Sequence, residues 1–357
     1  VAMGNLFKYA SLTTKIRAMS GDLISIDGFK SLCECDSISS AMNELMRYKY
    51  YRDAFKNVDV STLHREDIEQ ILMLSSLEEF MGLYKFTSGT PRKYLNLVSM
   101  YNELYILKRI LRDILSNRPR SLNLKSYAKH IGVHMDFNMD DLLAANDISQ
   151  FIETLKHTEY YNCLNEVYSK GGHTIFEYGL ALDSYYFDIC FKFAAKELKG
   201  TESKDVLSIL GTRCDFLNMQ WIYRTKKYYK VDNAKIYATL TPHYYKLSPD
   251  EIKRMTEAEG ADEFNEVFDT TYYGRLSSKL FKIRPGLEEF YMATLEYLYT
   301  KNKKNNPYSL ATLSYYLYFR ELEISRVIEI IESIRYSLSS EDIITKILKL
   351  KARRSFA

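Results

Sequence analysis

Apolar residues recur along this chain at helical spacing almost from end to end. Between 68 and 86, Ile68, Ile71, Leu72, Leu77, Phe80, Met81 and Tyr84 fall close to i, i+3, i+4, the stripe of an amphipathic helix. Leu104, Leu107, Ile110, Leu111 and Leu115 repeat the pattern over 100–115. The same period returns at 151–168, 176–198, 213–229, 261–281, 286–301, 309–320, 321–336 and 341–350. In 176–198 it places Leu180, Phe187, Phe191 and Ala194 on the core face. Strict alternation is scarce, so the pattern predicts an all-α chain. Asp147 and Ser340, the latter followed by Glu341 and Asp342, stand where helix starts are expected. Breakers at 88–92, 117–121, 170–172, 240–244, 283–286 and 301–307 are short, which predicts helices packed against one another.

A longer period underlies the short one. Tyr50-Tyr51, Tyr160-Tyr161 and Tyr272-Tyr273 are spaced by 110 and 112 residues. Eight positions before each pair stand Met42, Ile152 and Phe264; four after stand Ala54, Leu164 and Leu276. A second anchor follows at Glu69, Glu177 and Glu288, and a third at Glu103, Asp215 and Glu321. Each third-anchor acid precedes an apolar residue and has Ile seven positions on. Three anchors in one order, three times over, predict three homologous helical domains of about 110 residues: 1–119, 120–233 and 234–357. That period is too long for a two-helix solenoid repeat. The tyrosines are expected to present apolar faces, with hydroxyls reaching the domain surface.

Composition sharpens this reading without changing it. The 357 residues contain 14 Gly and 6 Pro, few for a turn-rich β protein. The net charge of +3 is too mild to demand nucleic acid as partner. Five cysteines, with Cys33 and Cys35 as C-x-C and no second pair at zinc spacing, fit free thiols in a reducing compartment. No apolar run approaches the length of a membrane span. A soluble chain in the cytoplasm is expected. Basic stretches at 117–130 and 224–235 mark the two junctions. They read as cations complementing helix C-termini, or alternatively as a charged binding rim.

Catalytic chemistry is hard to find. Of six histidines only His130 and His134 have i, i+4 spacing, and Gly132 between them weakens the helix a metal site requires. There is no phosphate-binding loop, nucleophile elbow or H-E-x-x-H motif. The repeated acids occur once per domain, whereas a catalytic centre gathers different groups at one place. They are expected to cap helices or to pair with basic residues such as Arg109, Arg224 and Arg326. No catalytic, cofactor or metal site is assigned. An enzyme with a site assembled between domains around His130 and His134, or a helical scaffold for another partner, stays open as an alternative.

Several segments resemble a known family. Tyr9-Ala10 and Lys15-Ile16-Arg17-Ala18, the T-x-Y helices at Thr158–Leu164 and Thr270–Leu276, and the Asp-x-x-Asn helix of Asp215, Asn218, Ile222 and Arg224 carry the likeness. So does the closing segment with Pro307, Tyr316, Leu317, Arg320, Glu321, Glu323 and Ile324. Together they resemble the C-type stalk component of bacterial and archaeal V/A-type rotary ATPases, known as the d-type component in eukaryotic V-ATPases. Lys15 and Arg320 replace the family's usual Arg and Lys, and Ser325-Arg326 stands where Asn-Leu-Arg is common. The resemblance implies a funnel of three domains with pseudo-threefold symmetry. It implies a non-catalytic, one-copy component of the central stalk, peripheral on the cytoplasmic face of the membrane. Such a component would join the D and F stalk subunits to the membrane rotor ring (the c/K subunits) during ATP-linked H+ or Na+ transport.

Overall fold

A computed structural model describes residues 2–56, 58–59, 63–117, 137–228, 231–283 and 285–348. Among these the chain is all-α, as the apolar period predicts. A leading helix α1 (Ala2–Ser20) is followed by three short helices: α2 (Ile26–Cys33), α3 (Ile38–Leu45) and α4 (Lys49–Ala54). Two long ones come next, α5 (Arg65–Phe86) and α6 (Gly89–Leu115). The order of three short and two long helices then recurs. The short set is α7 (Met139–Ala144), α8 (Ile148–Thr154) and α9 (Tyr161–Ser169), and the long pair is α10 (Ile175–Glu197) and α11 (Gly200–Tyr228). After α12 (Asn233–Ala238) it recurs again. The short helices are α13 (Pro249–Glu257), α14 (Ala261–Thr270) and α15 (Tyr272–Leu280); the long ones are α16 (Leu287–Asn305) and α17 (Leu310–Arg335). A final α18 (Ser340–Leu348) follows.

Local chemistry sets the ends of these helices. Asp147 caps α8 by accepting from the Gln150 N–H at 2.8 Å, and Thr174 with Glu177 forms a reciprocal capping box on α10. The last helix is capped one residue earlier than Ser340: the Ser339 hydroxyl accepts from Asp342 N and donates to Asp342 Oδ2 at 2.6 Å. The continuous patterns at 151–168 and 261–281 each break in two. Thr158 Oγ accepts from Tyr160 N at 3.2 Å in the first, and Thr271 Oγ from Gly274 N at 3.2 Å in the second. Such hydroxyls compete with the helical ladder. Conversely, 309–320 and 321–336 join as α17. Pro91, within a predicted breaker, sits in the first turn of α6, where a missing N–H is harmless. On α10 the buried stripe runs through Tyr178, Leu182, Tyr186, Cys190 and Ala194. Phe187 belongs to it, whereas Leu180 and Phe191 are only half-buried.

The chain divides into two compact units. One comprises residues 1–87, 281–283 and 299–357, so the first helices group with the last ones. Its core joins Phe29, Leu32, Met42, Leu45, Tyr51 and Leu72 to Val327, Ile330, Ile331 and Ile347. The long helix α17 packs there against α1, α2, α3, α5 and α18. The other unit comprises residues 88–280 and 284–298. Within it α6 packs on α8 and α10, and α11 on α10, α13 and α14. Phe216 is the hub of an aromatic cluster, its ring 4.9 Å from Tyr273, 5.5 Å from Phe290 and 4.9 Å from Tyr291. Each fully buried aromatic of this kind contributes about 1.5–3 kcal/mol.

Candidate functional site

The third-anchor acids Glu103 and Asp215 lie mid-helix on α6 and α11, and a buried tyrosine meets each of them. Tyr160 Oη donates to Glu103 Oε2 at 2.6 Å, across 57 residues of sequence. Tyr273 Oη donates to Asp215 Oδ2 at 2.7 Å, across 58. In the other unit Tyr51 Oη donates to Glu323 Oε1 of α17 at 3.0 Å, although the two stand 272 residues apart. All six side chains are buried. The tyrosine hydroxyls therefore point inward onto carboxylates, not to the surface as their amphipathic character predicts. The reason is electrostatic. A carboxylate held in a helical core needs donors, and a phenol on the packed neighbour supplies one without adding a charge.

Backbone donors complete two of these clasps. Asp215 also accepts from the N–H groups of Tyr245 at 3.0 Å and Lys246 at 2.8 Å. Glu323 accepts from Ile24 N at 2.6 Å. In both, the loop that precedes a short-helix set folds over the acid. The loop over Asp215 lies so close that a Cβ on Gly211 would stand 2.3 Å from Tyr245 Cγ. Glu103 has the Ser99 hydroxyl at 3.4 Å as a further, weak donor. Burial pushes the Glu103 and Asp215 carboxyls above their ordinary values, while the hydrogen bonds from Tyr160 and Ser99, and from Lys246, Tyr245 and Tyr273, oppose it. Burial and the adjacent carboxylate push the Tyr160 and Tyr273 phenols far above the usual tyrosine range. These phenols remain donors wherever the protein is folded.

A charged cluster surrounds the Tyr51 clasp. The Arg320 guanidinium donates to Glu323, to Glu79 at 3.2 Å and to Tyr316 Oη at 3.2 Å, and lies 4.1 Å from the centre of the Tyr50 ring. Its burial opposes the charge, but Glu79 and Glu323 hold it firmly protonated. Neighbouring tyrosines Tyr50-Tyr51 and Tyr272-Tyr273 share an edge-to-face arrangement, with centroids 5.1 and 5.3 Å apart. Tyr50 Oη donates to the Leu72 carbonyl at 3.1 Å. Tyr161 opens α9, half-buried, and Tyr272 is exposed.

The second-anchor acids each have a partner of their own and do not converge on one place. Glu69 pairs with Arg65 at 2.6 Å, one helical turn away. Glu177 accepts from the N–H groups of His173 at 3.1 Å and Thr174 at 3.0 Å. Glu288 accepts from Gln220 Nε2 at 2.7 Å. Glu321 is exposed, and the acid at the Tyr51 clasp is Glu323, two residues on. Both satisfy the sequence criterion: Ile324 follows Glu323, and Ile330 lies seven positions after it. Only burial separates the two.

Among the acids and aromatics of α10, Asp183 pairs with Lys108 and Tyr185 Oη donates to Glu159 at 3.1 Å. Asp188 meets His243 Nε2 at 2.5 Å. These contacts tie α10 to α6, to the loop before α9 and to the loop before α13. His64 N donates to Asp67 at 2.9 Å to start α5. His130 and His134 lie outside the described residues, as does most of the basic stretch at 117–130. In the second basic stretch Lys226 and Lys227 occupy the last turn of α11, where cations complement the helix end. All five cysteines are free. Burial pushes the thiols of Cys33 and Cys163 up to about 11, and those of Cys190 and Cys214 up to about 12, so none of these four is a thiolate nucleophile near neutrality. Among the described residues no group of three or more His, Cys, Asp and Glu is arranged to hold a metal ion. Nor is any helix there long and apolar enough to cross a membrane.

The geometry is therefore that of long helices clasped to their neighbours by buried acids and tyrosines. A family model described as ATP synthase (C/AC39) subunit matches residues 12–345, nearly the whole chain. No curated protein matches the chain at a significant level.

Proposed function

The chain belongs to the ATP synthase C/AC39 subunit family of V/A-type rotary ATPases, and from that premise we propose that it is the non-catalytic coupling part of such a machine. In this reading it seats the central stalk, made of the D and F subunits, on the membrane rotor ring. It carries torque between ATP turnover and H+ or Na+ movement, from a peripheral position on the cytoplasmic face. The observation that carries the reading is the set of three tyrosine–carboxylate clasps, Tyr51–Glu323, Tyr160–Glu103 and Tyr273–Asp215. A part that transmits torque must not shear. A buried, directional bond between a long helix and the short-helix set beside it resists sliding in a way that non-directional apolar contact does not.

The three clasps also support a threefold repeat with a cyclic order. Tyr160 and Tyr273 each take an acid lying 57 or 58 residues earlier. Tyr51 instead takes Glu323, which lies 272 residues later. The structural wedge is then the long helix of one sequence repeat with the short helices of the next, and the last wedge is completed by the first residues of the chain.

Co-expression with candidate D, F and ring subunits tests the function. Co-purification with both the stalk and the ring supports it. A folded chain that retains neither contradicts it.

A further inference from the structure

A cleft of about 320 Å3 opens in the unit that holds the first and last helices, between the last turns of α1 and α16 and the first turn of α17. Arg17, Lys303 and Lys304 line it together with Thr300, Thr312 and Tyr315. Three of the lining residues are cations and none is an acid. The Lys303 ammonium lies 3.7 Å from the Tyr315 ring centre, and the Arg17 guanidinium 5.1 Å from that of Tyr308. Ring contacts of this kind hold a cation in place without neutralising it. Burial and the charge of Arg17 pull the Lys303 ammonium below the ordinary lysine value. Thr312 is buried, and its hydroxyl donates to the Pro307 carbonyl at 2.7 Å, which leaves its oxygen able to accept.

Helix ends attract cations, and Arg17, Lys303 and Lys304 do stand in last turns. That effect accounts for a cation at each end. It does not account for three of them, from two helices, lining one concavity with no acid among the residues that line it. Like charges gathered this way repel one another, and an anion seated among them removes the repulsion. A planar fork beside two ammonium groups matches a group that offers several equivalent oxygens.

We propose that this cleft binds a phosphate-bearing anion, its phosphate oxygens held by Arg17, Lys303 and Lys304. The volume lies at the small end of ligand pockets and suits a diphosphate or a phosphorylated headgroup. The phosphate belongs either to a small soluble molecule or to a phosphorylated lipid at the membrane surface. The proposal does not depend on the coupling function.

Two probes on the full-length chain test it: inorganic diphosphate by calorimetry, and phosphatidylcholine vesicles containing a phosphorylated inositol lipid by co-sedimentation. The variants are Lys303→Gln and Arg17→Gln, with Lys204→Gln removing the same charge on α11 as control. Saturable binding of at least one probe, weakened about tenfold or more by either cleft variant and unchanged by Lys204→Gln, is expected, since bonds to charged groups carry that much. Binding of diphosphate assigns a soluble ligand. Binding of vesicles alone, lost in the cleft variants, assigns a lipid. Absence of saturable binding to both probes, or equal weakening by Lys204→Gln, overturns the site. So does binding of a glutamate-rich peptide that diphosphate cannot displace, since it would make the cleft a docking point for an acidic protein segment.

Discussion

Replacing Tyr160 by Phe removes one oxygen and leaves the ring in place. The loss falls on Glu103, which is 3% exposed and whose other donor, Ser99, stands at 3.4 Å. A hydrogen bond to a charged group contributes about 1.5–3 kcal/mol, and a buried acceptor left unpaired adds its own desolvation penalty. Protonation of the carboxyl limits that penalty, each unit of pKa corresponding to about 1.4 kcal/mol. The expected cost of Tyr160→Phe is therefore ~2–3 kcal/mol. Tyr273→Phe should cost less, about 1–2 kcal/mol, because Asp215 keeps two backbone donors at 3.0 and 2.8 Å. Tyr51→Phe should also lie below Tyr160→Phe, since Glu323 keeps Arg320 and the Ile24 N–H. A chain with two compact units need not unfold in one step, so the readout should be local. Hydrogen exchange over 151–168 reports the Tyr160 clasp, and a double-mutant cycle with Glu103→Leu, which removes the acceptor, isolates the pair. A Tyr160→Phe cost below about 0.5 kcal/mol, or strict additivity with Glu103→Leu, would refute the assignment of a stabilising bond.

Other outcomes follow from the same contacts. Glu103 has a folded-state pKa raised by burial, so its favourable contribution is complete below the ordinary glutamate value, near pH 4, and is lost as pH rises through the raised one. Glu103→Gln should thus gain stability relative to the parent between about pH 4 and 7, read by urea denaturation across that range; a constant difference would contradict the buried charge. Gly211→Ala should cost about 1–3 kcal/mol by thrusting a methyl into Tyr245. Gly82→Ala, with open space around it, should stabilise α5 by about 0.5–1 kcal/mol, so paired thermal melts should move in opposite directions. Arg320→Met should cost about 3–5 kcal/mol by stranding Glu79 and Glu323. A melting temperature equal to the parent's would mean that neither acid depends on it. In native protein at pH 8, half-buried Cys35 should react with iodoacetamide ahead of Cys190 and Cys214, as peptide mapping would show.

Most of the fold was legible because a 3.6-residue period needs no tertiary knowledge to read. Ile68, Leu72, Leu77, Phe80 and Tyr84 are buried on α5, the face their spacing predicts. What local pattern cannot carry is the competition between a side chain and the helical ladder. Thr158 and Thr271 stand at breaks in patterns that look continuous, and Ser339 rather than Ser340 caps the last helix. The clasps were half legible. The tyrosine pairs and Glu103 and Asp215 stand out by spacing, yet the spacing cannot say which tyrosine of a pair meets the acid. The answer is the second at 50–51 and 272–273 and the first at 160–161. Nor can it choose Glu323 over Glu321, because both have the apolar neighbour and the isoleucine. The choice depends on which face of α17 the first helices of the chain cover. That is fixed by a contact across 272 residues, and a period counted from one end to the other does not join the two ends.

The coupling role is tested most directly in membranes that carry the assembled ATPase, with this chain deleted and then restored. ATP hydrolysis and ATP-driven ion uptake are measured side by side. A coupling role requires that deletion abolish uptake while the catalytic head still hydrolyses ATP, and that restoring the chain recover uptake. Uptake that continues at the parental rate without the chain would contradict it.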